Sequence, residues 1–110
     1  MSGIARCTLI GVVAKHGTEV RYTSTGTPCA SLTVVVSELG QDGKTHDLSV
    51  LVEIWGRKAE QAGEIEPGQW VLFEGKLARR RRGETWEWLV AGFELMALAP
   101  PMASMTDGSL

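Results

Sequence analysis

The segment from residue 50 to residue 82 contains two strand patterns separated by a short helix pattern, and it ends in four consecutive arginines. Residues 47–55 alternate with the period of a β-strand, and residues 70–77 do so again. Residues 57–65, between them, are rich in good helix formers and are bounded by turn signals. In a chain that otherwise contains strand patterns, this order predicts a small closed barrel with the helix at one end.

Three further strand patterns account for most of the remaining chain. They cover residues 4–13, 29–38 and 85–98, and a short extended piece at 19–22 precedes the second of them. Gly11 and Gly92 interrupt two of these patterns: Gly11 predicts a β-bulge or a sharp coil that bends the sheet, and Gly92 predicts a second bulge. Five strands with one short helix between strands 3 and 4 follow the order of an OB-fold, so we predict an all-β, five-stranded Greek-key barrel of that type.

Length and charge limit the possible partners. The 110 residues predict one domain at 1–99 and a short flexible tail at 100–110, which begins with two prolines. The net charge is −2, so a nucleic-acid partner requires a local basic patch. The Arg79–Arg82 run supplies such a patch.

The sequence gives little support for catalysis, for a metal site or for a membrane segment. It contains no catalytic motif with its expected spacing, and its two histidines lie far apart in sequence without acidic or thiol ligands at metal-binding spacing. No apolar run approaches membrane-spanning length. Cys7 and Cys29 lie in strand patterns and predict buried thiols in a reducing compartment. We therefore predict a cytoplasmic protein that is not an enzyme and needs no cofactor.

Several short motifs, in order along the chain, resemble those of a known family. They are Leu9-Ile10-Gly11, Glu19–Thr23, Ala30-Ser31-Leu32, Ser37-Glu38, Trp55–Glu60, Gly68–Val71, Phe73–Leu77 and Glu94–Leu98. As a set, over about residues 4–98, they resemble bacterial single-stranded DNA-binding proteins, and the chain is identified as a divergent or short member. The resemblance implies an OB-fold, usually homotetrameric, that binds single-stranded DNA with little sequence preference in replication, recombination or repair, close to the nucleoid.

An unpaired strand offers flat bases and one charge per nucleotide, so its binder needs aromatic side chains beside basic ones. Trp55 matches the family's aromatic residue before the helix; its alternative role is a contact with a neighbouring subunit. Trp70 is assigned to packing or to a subunit interface. The predicted DNA-binding set is Trp55, Trp86, Trp88, Arg21, Lys15, Lys76, Arg79, Arg80, Arg81 and Arg82.

The tryptophans near the end of the chain are expected to face the arginine run. If residues 83–84 form a two-residue turn, Arg81 lies opposite Trp86. Arg79 then lies opposite Trp88, which gives a ladder of guanidinium groups on indole rings. This ladder either binds the strand, or it merely stiffens a projecting hairpin or packs on another protomer.

Some positions depart from the family pattern. Ser49 stands where the family has a stacking tryptophan, and Glu53 on the same face would oppose a phosphate. The family's acidic tail, which recruits other replication proteins, is not matched at the end of the sequence. These departures leave an alternative function, an accessory subunit similar to the primosomal OB-fold proteins, with weakened DNA binding. A tetramer is favoured over a dimer.

Overall fold

The computed structural model describes residues 5–14 and 18–98, which form six strands and one short helix. The predicted tail at 100–110 lies outside the described residues. In chain order the elements are β1 (Arg6–Val13), β2 (Glu19–Tyr22), β3 (Pro28–Leu39), β4 (Thr45–Trp55), α1 (Arg57–Ala62), β5 (Trp70–Arg82) and β6 (Thr85–Leu98).

Five of the strands close into a barrel. They pair in the order β1-β5-β6-β4-β3, and a short β1–β3 pairing closes the ring. The β4–β6 pairing is parallel and the others are antiparallel. The predicted OB-fold barrel is therefore confirmed. The short extended piece is a strand, β2, which adds to the free edge of β3.

The inner faces of the strands form one hydrophobic core. Its largest fully buried side chains include Phe73, Leu32 and Ile54, and each stabilises the fold by roughly 1.5–3 kcal/mol relative to exposure. Ala59 and Ala62 of α1 pack into the same cluster. The helix ends at Ala62, three residues before the predicted end at 65, and the chain continues in single turns.

The two glycines that predicted bulges have different surroundings. Gly11 pairs regularly with Val71, so the bulge is excluded there and the alternative, a sharp coil of the strand, remains. A Cβ at Gly11 would collide with the backbone oxygen of Val35, because β1 lies very close to β3 at this point. The one register shift in the β5–β6 pairing lies beside Gly92: Gly75 pairs with Gly92, Glu74 pairs with Glu94, and Phe93 between them is the extra residue.

The arginine run belongs to a strand. β5 continues to Arg82, five residues past its predicted end, and Arg82 pairs with Thr85 across the expected two-residue turn. Gly83 at this turn has a φ of 65°, which glycine adopts without strain. β6 pairs with β4 only at Val90 and Ala91, so the hairpin leaves β4 beyond this point. We call residues 77–90 the arginine hairpin.

Candidate nucleic-acid interface

The two faces of the arginine hairpin carry different chemistry. Strand alternation places Arg79, Arg81, Trp86 and Trp88 on one face, and Arg80, Arg82 and Glu87 on the other. The predicted pairs, Arg81 opposite Trp86 and Arg79 opposite Trp88, are both present in the register. The first face combines indoles with guanidinium groups, whereas the second combines cations with a carboxylate.

One guanidinium group spans both indoles. The Cζ atom of Arg79 lies 4.5 Å from the ring centroid of Trp86 and 6.0 Å from that of Trp88. The expectation that Arg81 stacks on Trp86 is wrong, because its Nε donates a hydrogen bond to the Gly83 carbonyl at 3.0 Å. Diagonal neighbours on paired strands lie within reach of long side chains, which explains the contact between Arg79 and Trp86. Trp86 and Trp88 remain 54% and 62% exposed.

Glu53 is buried on the other side of the hairpin and does not face an open groove. It is 5% exposed, and Arg80 Nη1 donates a short charge-assisted hydrogen bond to its Oε2 atom. Arg21 Nη2 and the Ser31 hydroxyl each reach the same oxygen at 3.4 Å. The expected repulsion between Glu53 and a phosphate is therefore replaced by internal neutralisation.

The same arrangement changes the expected roles of two arginines. Arg80 also donates through Nε to Glu87 at 2.8 Å, so this guanidinium joins β5 to both β4 and β6. Hydrogen bonding to Glu87 is the main cause that raises the pKa of Arg80. The Arg21 side chain is half exposed, and its guanidinium group forms an ion pair with Glu53. Both residues therefore hold the framework of the interface together as ion-pair partners.

The pH response of Glu87 tests this framework. The hydrogen bond from Arg80 lowers the pKa of Glu87 below its usual value of 4.5. A depressed folded-state pKa contributes stability above the unfolded-state value and loses it as the pH falls through the folded-state pKa. In Arg80→Gln we expect the Glu87 pKa to rise towards 4.5, as measured by carboxyl-carbon NMR. Arg81→Gln is the control and leaves it unchanged; equal shifts in both variants would contradict the assignment.

Trp55 and Arg21 lie on the outer face of the barrel. Across β2, β3 and β4 the register places Arg21, Cys29 and Trp55 side by side, and Trp55 is 51% exposed. The buried Cys29 thiol has a raised pKa, first because burial disfavours its thiolate and next because Glu53 is near. Both cysteines are free thiols; Cys29 is buried as predicted, whereas Cys7 is only partly buried.

An aromatic–cation pair that the sequence analysis missed lies further along the outer face. The Cζ atom of Arg6 lies 5.3 Å from the ring centroid of Phe93, which is 48% exposed. Lys76, one of the predicted residues, is exposed and pairs with Arg6 across β1 and β5. The available signal was the break in alternation after Gly92, which predicted a bulge but not the side chain that it exposes.

A cleft opens where the arginine hairpin leaves β4. Its volume is about 190 Å³, and its lining includes Ser49, Leu51, Leu77 and Trp88. The small side chain of Ser49 leaves this space open. The cleft places an indole wall beside apolar side chains, which is the environment that a nucleobase prefers.

Three other features considered from the sequence are Lys15, a metal site and a membrane segment. Lys15 lies outside the described residues, so its role stays a prediction. Within the ranges 5–14 and 18–98, no group of three or more potential ligands is placed to hold a metal ion. Among these same residues, α1 is too short to cross a membrane.

The sequence model described as the Single-strand binding protein family matches residues 4–85, about three quarters of the chain. The chain belongs to the single-strand binding protein family. This is a non-enzymatic family that binds single-stranded DNA. The match extends from β1 through the arginine run and ends at residue 85, so Trp86, Trp88 and Phe93 lie outside it. No curated protein matches the chain significantly.

Proposed function

We propose that this protein binds single-stranded DNA without marked sequence preference, in the cytoplasm, during replication, recombination or repair. Bases stack on the exposed tryptophans, and basic side chains contact the phosphates. The observation that carries the proposal is the position of Arg79 across Trp86 and Trp88, with both indoles more than half exposed. Each stacked base contributes roughly 1–3 kcal/mol by alanine substitution and does so for any base.

The ion pairs limit which basic side chains are available to contact the DNA phosphates. Arg80 is held between two carboxylates, and Arg82 lies 3.7 Å from Glu87. Within the part of the chain that the structure describes, Arg79 and Arg81 make no ion pair with a carboxylate, and Lys76 is exposed. Three available cations predict a modest salt dependence, with log K falling by roughly 2 for each unit of log salt concentration.

The direct test is a fluorescence titration with dT oligomers at several salt concentrations. We expect strong quenching of tryptophan emission at low salt, and a binding constant that falls with the slope given above. A duplex of the same length is the control and is expected to bind much more weakly, because its bases are already stacked. A folded protein whose emission does not change with dT at low salt would contradict the proposal.

A homo-oligomer, with a tetramer favoured over a dimer, is the proposed assembly. The outer faces of β1, β5 and β6 carry a stripe of apolar side chains in aligned rows, Ile10 beside Leu72 beside Met96, and Val12 beside Trp70 beside Leu98. Ile10 and Met96 are each about half exposed. The aligned apolar rows suit contact with the same rows of a second copy. Light scattering measures the mass.

The accessory-subunit alternative rested partly on the expectation that Glu53 would oppose a DNA phosphate. Its burial beside Arg80 removes this support, whereas Ser49 in place of a stacking tryptophan remains in its favour. The dT titration separates the two functions, because an accessory subunit with a weakened DNA face would show little quenching at low salt.

A further inference from the structure

We propose that Phe93, with Arg6 and Lys76 beside it, is a second stacking platform, and that the bound single strand continues from Trp55 across the outer face of the barrel to Phe93. This inference rests on the proposed function and adds residues to its site. It extends the interface from the arginine hairpin towards β1.

The β-bulge explains why Phe93 reaches the surface. Gly75 and Gly92 pair on the inner side, where a Cβ on Gly92 would collide with the ring of Phe73. Glu74 and Glu94 pair on the outer side, so Phe93 is the extra residue between an inward and an outward position. A bulge commonly re-aims a side chain in this way, and the ring is 48% exposed as a result.

Phe93 and Trp55 lie at corresponding places on two neighbouring strands of the sheet, β6 and β4. The parallel pairing of these strands ends with Glu53 beside Ala91, and each ring lies two residues beyond that point along its own strand. A single strand that crosses the barrel just past the end of this pairing would meet both rings. Lys58 of α1 holds this corner, because its Nζ donates to the Phe93 carbonyl at 2.7 Å.

The charges around Phe93 suit a polyanion. Arg6 lies over the ring at 5.3 Å, and the exposed Lys76 pairs with Arg6. Glu94 is paired with Lys58 at 3.0 Å, which reduces its repulsion of a phosphate. Cation and ring together repeat the combination that Arg79 makes with Trp86.

A polar row separates Phe93 from the apolar stripe that we assign to self-association. Thr8, Glu74 and Glu94 lie side by side across β1, β5 and β6, between the Arg6 end of the sheet and the stripe. Two carboxylates in this row are unfavourable at the centre of a contact between copies. Phe93 therefore belongs to the face that includes Trp55 and not to the stripe.

The experiment compares Phe93→Ala and Phe93→Leu with Tyr22→Ala, an exposed aromatic side chain on β2 that is assigned no role in binding or self-association. We expect both Phe93 variants to bind a long dT oligomer about 5- to 10-fold more weakly, with unchanged mass, and Tyr22→Ala to retain its affinity. Phe93→Leu keeps the apolar bulk, so it reports the loss of the aromatic face even if the alanine variant folds poorly.

A second measurement does not depend on affinity. An oligomer that contains 5-iododeoxyuridine, irradiated in complex with the wild-type protein, is expected to crosslink to Phe93. Wild-type binding with unaltered affinity in the Phe93 variants and no crosslink there would overturn this inference and leave the proposed function intact. A changed oligomer mass in Phe93→Leu would also overturn it, because the ring would then be a contact between copies. Absence of any wild-type binding would remove both proposals.

Discussion

Replacement of Trp88 by alanine is expected to weaken the binding of dT oligomers by about 5- to 150-fold. This range corresponds to the roughly 1–3 kcal/mol that a stacked base loses with its aromatic partner, at 1.36 kcal/mol for each factor of ten. Trp88 is 62% exposed and lines the cleft beside Ser49, so it offers a ring face to a base that enters this cleft.

The measurement is a binding titration at fixed salt, with urea unfolding to check the fold. Trp88 is exposed, so the free energy of unfolding should change by no more than about 0.5 kcal/mol. Tyr22→Ala is the matched control, because Tyr22 is 61% exposed on β2 and is assigned no role in binding. Equal affinities of wild type and Trp88→Ala would show that the indole face of the hairpin is not the binding surface.

The salt dependence separates stacking from charge. Trp88→Ala removes no charge, so its plot of log K against log salt should be displaced and parallel to that of the wild type. Arg79→Gln removes a phosphate contact as well as the cation over both indoles. The magnitude of the salt slope of Arg79→Gln is therefore expected to be smaller than that of the wild type by about 0.7.

Strand alternation and turn chemistry made much of this molecule predictable. The apolar alternation of β4 and β5 identified the core faces, and the two-residue turn at Gly83 determined which residues lie opposite one another in the arginine hairpin. Both are local properties, since a strand has a period of two and a tight turn sets its own register. The order of the strand and helix patterns predicted the closed barrel, and the family motifs agreed with it.

The contacts that define the interface were less predictable, because they depend on long side chains and on strands far apart in sequence. Glu53 has the spacing of an exposed residue, and its burial depends on Arg80, 27 positions later. Arg79 lies over Trp86, its diagonal neighbour, and the strand register alone does not determine this contact. The exposure of Phe93 could not be predicted without the exact position of the bulge, which lies opposite Glu74 and Gly75 on the facing strand.

Glu53 allows a sharp test, because its two possible roles predict opposite results. If it opposed the phosphates, Glu53→Gln would bind DNA more tightly and remain as stable as the wild type. The burial of its carboxylate between Arg80, Arg21 and Ser31 leads us to expect the reverse. Charged hydrogen-bond partners are worth about 1.5–3 kcal/mol, and the partly exposed arginines can be solvated, so we expect a loss of about 2 kcal/mol in the free energy of unfolding.

The measurement is urea unfolding, in which the midpoint should fall while the slope is retained, together with the dT titration. We expect no gain in affinity, because loss of the carboxylate also loosens the Arg80 link between β4, β5 and β6 that holds the base of the arginine hairpin. Glu84→Gln, at the exposed turn, is the control and should change stability little. A double-mutant cycle with Arg80→Met isolates the pair: a coupling energy near zero would mean that the ion pair does not organise this surface, and that the hairpin is held by packing alone.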